Sequence, residues 1–105
     1  MNNPKIPDAM QIASRLGAAL QVQTISFDKD SPKQPFLEMH RLLEAQYPLV
    51  HRHLKREIIN ELSLLYTWQG TQADLAPVAF LAHMDVVPAD ASDWTHPPFT
   101  GEVAD

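Results

Sequence analysis

The chain has 105 residues, 45% of them hydrophobic and 20% charged, with eight Lys and Arg against thirteen Asp and Glu and a formal net charge of -5. That length fits one domain or a piece of a larger one, burying only roughly 60–70% of its unfolded surface, and the composition excludes a disordered tail. The lack of cysteine excludes a disulfide scaffold, a thiolate metal site and a cysteine nucleophile, while the acidic balance argues against nucleic-acid binding and no apolar run approaches the ~20 residues that span a bilayer.

Residues 1–7 hold two prolines, two asparagines and little to bury, and read as a frayed lead-in. They lack the charged-then-apolar layout of a secretory leader, which makes the cytoplasm the expected compartment. Asp8 is the expected N-cap of a first helix, with Gln11 completing a capping-box-like pair. Ala9, Ile12, Ala13, Leu16, Ala19 and Leu20 then follow helical spacing. The helix should end near Leu20 or Gln21, before the β-branched stretch Val22 to Ile25. Gly17 inside it costs ~1 kcal/mol relative to alanine, which points to close packing against a neighbour.

Asp28 to Pro35 is a polar linker, where Ser31 and Pro32 resemble an N-cap followed by a first-position proline. Phe36, Met39 or His40, Leu43 and Tyr47 repeat at helical spacing until Pro48 stops the run. This stripe is core packing, with His40 half-buried. From Val50 the period is ambiguous: Leu54, Ile58 and Leu62 fit a helix, whereas Leu62, Leu64, Tyr66 and Trp68 alternate as a strand does. A turn or short helix over 50–55 and strands from Glu57 to Trp68 are expected. Gly70 to Ala76 is a loop, and Pro77 to Ala82 is an apolar run that suits a strand buried on both faces. After Val87 the chain turns irregular. Helices followed by buried strands predict a layered α/β domain.

The charges are segregated. All eight Lys and Arg lie between Lys5 and Arg56, whereas residues 61–105 hold seven acids and no base. Such a segment is either solvated loop or a region facing a cation, because a bound metal offsets clustered carboxylates. His83 and Asp85 stand at the end of the apolar run, where sites of open α/β sheets collect. Residues two apart on a strand point to one side, so both side chains can share a pocket. An imidazole suits zinc, and a carboxylate behind it fixes the ring. By spacing alone the motif is weak, and a hydrogen-bonded structural histidine is the favoured reading of His83 over a metal ligand.

The surrounding residues narrow the choice. Leu81-Ala-His-Met-Asp-Val-Val-Pro88 and Trp94-Thr-His-Pro-Pro-Phe-Thr-Gly101 resemble the first metal-binding block of the zinc-dependent M20 metallopeptidases. Leu64-Leu-Tyr-Thr-Trp-Gln-Gly70 is similar to the strand before that block in the carboxypeptidase S-like branch, which includes N-acyl-amino-acid amidohydrolases. The resemblance implies that His83 ligates one zinc of a co-catalytic pair and that Asp85 orients that histidine and tunes its basicity. Trp94, Pro98, Phe99 and Gly101 match the following loop in structural roles. The family's bridging aspartate, glutamate general base, further ligands and late histidine match no position here. Val103-Ala-Asp105 looks like the approach to the Gly-Arg-Gly segment that precedes the bridging aspartate. The resemblance therefore implies that residues 1–105 are the N-terminal portion of an M20-like catalytic domain.

Other groups are weaker candidates. His51 and His53 flank Arg52 in basic surroundings and read as solvated surface. His96, between Thr95 and two prolines, is a candidate substrate contact, and acids such as Asp90 or Asp93 would have to converge with His83 for the chain to hold a metal tightly. Ser63 and Ser92 lack a nucleophile context, and three glycines form no phosphate loop. The expected function is that of a fragment of a dinuclear-zinc exopeptidase or amidohydrolase acting on short peptides or N-acyl amino acids. A non-catalytic remnant serving as a small interaction module is the alternative. An exposed strand edge in such a piece predicts self-association.

Overall fold

A computed structural model describes residues 5–104. Residues 1–4 of the expected lead-in and Asp105 lie outside the described residues, and residues 5–7 form neither helix nor strand. Helix α1 (Ala9–Leu20) begins where expected, because the Asp8 carboxylate accepts the Gln11 N–H at 2.9 Å. It ends at Leu20, and Gln21 caps it. Gly17 is buried, and its neighbour is Gly101: a Cβ built on Gly17 would stand 2.5 Å from the Gly101 carbonyl oxygen. Gly101 has φ +65, a left-handed conformation that glycine adopts without cost. The amide of Gln21 donates to the Thr100 carbonyl at 2.9 Å, so the loop before Gly101 is held against the end of α1.

Helix α2 (Gln34–Gln46) starts later than Ser31-Pro32 suggested. Ser31 does not cap it. Its hydroxyl accepts the Phe27 and Asp28 N–H groups instead and closes the preceding turn, and Pro35 occupies the first turn of the helix. Phe36, Met39 and His40 are its buried residues, so the ambiguous Met39/His40 position is filled by both. His40 is buried, not half-buried, because its Nε2 reaches the Leu62 carbonyl at 2.8 Å. That acceptor requires the proton on Nε2. Pro48 ends α2 and opens helix α3 (Pro48–His53), two residues ahead of the expected short helix. The Arg15 guanidinium lies 5.3 Å from the centre of the Tyr47 ring and ties α1 to this corner.

Strand β1 (Lys55–Ile59) and strand β2 (Ser63–Thr67) form an antiparallel hairpin with Lys55 opposite Thr67 and Ile59 opposite Ser63. Asn60, Glu61 and Leu62 connect the strands, and the first two take positive φ, 49 and 69. Lys33 reaches the Glu61 carboxylate at 2.5 Å and fastens the turn to the start of α2. The hydrogen bond from Lys33, with its charge, holds the Glu61 carboxyl below the usual range.

The expected buried strand is absent among the described residues: Pro77 to Ala82 forms no strand and pairs with none, with Phe80 96% and Leu81 92% exposed. A strand buried on both faces needs a strand beside it and layers above and below, and no described residue supplies them. The hollow between α2, β2 and this run is lined by Phe36, Leu43, Leu64, Phe80 and His83. Among the described residues, the buried apolar side chains of the core are Phe36 and Met39. The Cα radius of gyration is 16.7 Å, against about 13 Å for a compact chain of 100 residues. Mixed helices and a small antiparallel sheet make this a partial α/β domain.

Candidate functional site

The site joins segments far apart in the chain. Beyond α1, Thr24 to Ser26 runs parallel to Met84 to Val86, with Ile25 bridged to Val86. The Val86 N–H donates to the Thr24 carbonyl at 2.9 Å, and the Ser26 N–H donates to the Val86 carbonyl at 3.0 Å. The Thr24 hydroxyl donates to the Met84 carbonyl at 2.5 Å. At 1% exposure, Thr24 is the most buried side chain of its size or larger. The β-branched stretch that read only as a helix stop thus anchors the His-x-Asp segment. Nothing in the period of the sequence marks Thr24 for that task.

His83 and Asp85 do come together. Nδ1 of His83 lies 3.1 Å from Asp85 Oδ1 and 2.9 Å from the Asp85 carbonyl oxygen. Both partners are acceptors, so a neutral ring carries its proton on Nδ1 and leaves the Nε2 lone pair free. The His83 side chain is 85% exposed, and Nε2 is available to a ligand-seeking ion. This is the tautomer that a metal-ligating histidine with a carboxylate behind it adopts.

The other histidines divide by the same reasoning. Nδ1 of His51 faces the Tyr47 carbonyl at 2.8 Å, and its Nε2 meets the Tyr66 hydroxyl at 2.9 Å. Both ring nitrogens are occupied, so His51 joins α3 to β2 and is no chelating partner for His53. His96 pairs through Nδ1 with Glu102 at 2.6 Å, a contact that its neighbours in sequence did not suggest. Asp90 accepts the Ser92 N–H at 2.9 Å and the Ser92 hydroxyl at 2.8 Å, capping the short 3-10 turn Ala91–Asp93. These two bonds, the backbone one foremost, hold its carboxyl below the usual range.

Most of these acids are therefore engaged locally, and they do not converge. Among the described residues no group of three His, Asp or Glu side chains could hold a metal ion. His83 with Asp85 fits one ligand and its orienting carboxylate. Zinc sites usually take three or four protein ligands, more than the described residues bring together.

No family model and no solved structure matches the chain. Curated relatives do. Carboxypeptidase S of Saccharomyces cerevisiae is 42% identical over 97 residues, covering 83% of this chain and 17% of the relative. Probable carboxypeptidase S-like 2 of Dictyostelium discoideum is 41% identical over 101 residues, covering 91% and 20%. The N-fatty-acyl-amino acid synthase/hydrolase PM20D1 of Mus musculus is 34% identical over 97 residues, covering 90% and 19%. The chain spans about a fifth of the length of these relatives. Over the segment shared with them, this chain belongs to the carboxypeptidase S-like branch of the M20 hydrolase family.

Proposed function

We propose that residues 1–105 contribute one metal ligand, His83, and its orienting carboxylate, Asp85, to a dinuclear zinc exopeptidase or amidohydrolase. The observation that carries this reading is the Nδ1–Asp85 contact, which leaves Nε2 of an exposed His83 free. In a zinc hydrolase, the metal pair supplies Lewis acidity and a water acidic enough to lose its proton near neutral pH. His83 offers Nε2, and Asp85 keeps the ring proton on Nδ1 and raises the basicity of the opposite nitrogen. The proposed substrates are short peptides or N-acyl amino acids, after the activities in the relatives' names.

The remaining ligands and the general base come, in this reading, from other segments of a larger catalytic domain. The unpaired run at Phe80 and Leu81 and the hollow beneath it supply the surface against which those segments pack. The same surface is where a second copy would associate when the chain is alone.

A chimera tests the function. With this chain replacing the matching segment of the Saccharomyces cerevisiae relative, hydrolysis of dipeptides or N-acyl amino acids should persist and should stop with a chelator. The isolated chain should show no hydrolysis above buffer, because it offers one ligand and no assignable base. Chelator-sensitive hydrolysis by the isolated chain would overturn the reading.

A further inference from the structure

Thr24 makes two hydrogen bonds to the site segment, and Asp85 lies between them. Its hydroxyl donates to the Met84 carbonyl, which precedes the Asp85 nitrogen, at 2.5 Å. Its carbonyl accepts the Val86 N–H, which follows the Asp85 carbonyl carbon, at 2.9 Å. The two peptide planes flanking Asp85 are thus both held by one residue. Asp85, carried between these planes, supplies the two oxygens that face Nδ1 of His83, its backbone O and its side-chain Oδ1. His83 is otherwise exposed, so nothing else described in the structure orients its ring.

We infer that Thr24 is the positioning residue of this site: its buried hydroxyl fixes the Met84–Asp85 peptide plane and thereby holds His83 in the tautomer and orientation that present Nε2. The chemistry suits the task. A buried hydroxyl with one donor satisfies a carbonyl that would otherwise be orphaned beneath the site. A valine keeps the shape and the backbone bonds and removes only the donor. A serine keeps the donor. The carbonyl bond to Val86 is untouched by either change.

The inference rests on reading His83 as a ligand, but it is tested on the metal-free chain, so its failure and the failure of that reading are separable. At a fixed pH of about 8, where free imidazole is neutral, nitrogen-15 NMR of His83 reports which ring nitrogen carries the proton. The Val86 amide exchange rate reports whether the strand bridge persists. In the unsubstituted chain and in Thr24→Ser, Nδ1–H should dominate. In Thr24→Val, that dominance should be lost while Val86 remains protected. An unchanged His83 signal in Thr24→Val would overturn the inference. Loss of Val86 protection in Thr24→Val would also overturn it, since the hydroxyl would then hold the strand rather than the ring.

Discussion

In the chimera carrying this segment, His83→Ala is expected to bring turnover close to background, and Asp85→Asn to lower activity or zinc affinity by about 10–100-fold. On the proposed reading, the two effects differ because the two residues would act at different distances from a bound zinc. His83 would supply the donor itself, through the nitrogen that Asp85 leaves free. Its removal would take away a ligand, and the loss would extend to whatever chemistry the metal would supply. Asp85 is 3.1 Å from the other ring nitrogen and does not face the ion through this contact. Asparagine preserves its shape, and its carbonyl oxygen still accepts the Nδ1–H. What disappears is the negative charge that strengthens Nε2 as a donor. An active chimera indifferent to His83→Ala would remove His83 from the metal. Equal losses from the two substitutions would give Asp85 a more direct role than orientation.

The isolated chain is expected to self-associate as its concentration rises, through the run that ends at the site. Phe80, Leu81 and Val78 are 96%, 92% and 79% exposed, and the backbone between them has no partner among the described backbone hydrogen bonds. Exposed edges of that kind pair with a second chain unless charge or proline protects them, and Pro77 protects only one end. Burying a side chain the size of Phe contributes roughly 1.5–3 kcal/mol. Phe80→Asp should therefore raise the dissociation constant by roughly 10- to 150-fold. Sedimentation velocity across a concentration series measures this. A chain that stays monomeric at high concentration would show that this surface is satisfied without a partner.

What the sequence made legible was local, and what it concealed was distant. The first helix is readable because the Asp8 cap, the apolar spacing and the β-branched stop all lie within the helix or beside it. The hairpin was visible as alternation from Leu62 to Trp68, although its turn at Asn60-Glu61 was not, since neither residue demands positive φ as glycine would. The Pro77 to Ala82 run shows the opposite case. Its composition describes a surface that is to be covered on both faces, and burial depends on neighbours that composition cannot provide. At the site, the His-x-Asp spacing foretold the contact between His83 and Asp85. Thr24 was hidden, because a threonine in a β-branched stretch carries no sign of a carbonyl sixty residues away. His51 was likewise read as surface, because its two bonds come from Tyr47 and from Tyr66 across the fold.

The central claim is that His83 offers a single, oriented ligand nitrogen, with no further metal-holding group gathered around it among the described residues. Histidine-resolved NMR of the 105-residue chain during zinc titration tests it most directly, because His40, His51, His53, His83 and His96 can be followed separately. His40 and His51 should stay still, as His40 is buried with its Nε2 on the Leu62 carbonyl, and Tyr47 and Tyr66 occupy both nitrogens of His51. The His83 signals should move gradually, on the Nε2 side of the ring, with weak affinity and no saturation at one equivalent. Saturation at one equivalent would mean that this chain assembles a complete site of its own, and a His83 ring that never moved would mean that it offers no ligand.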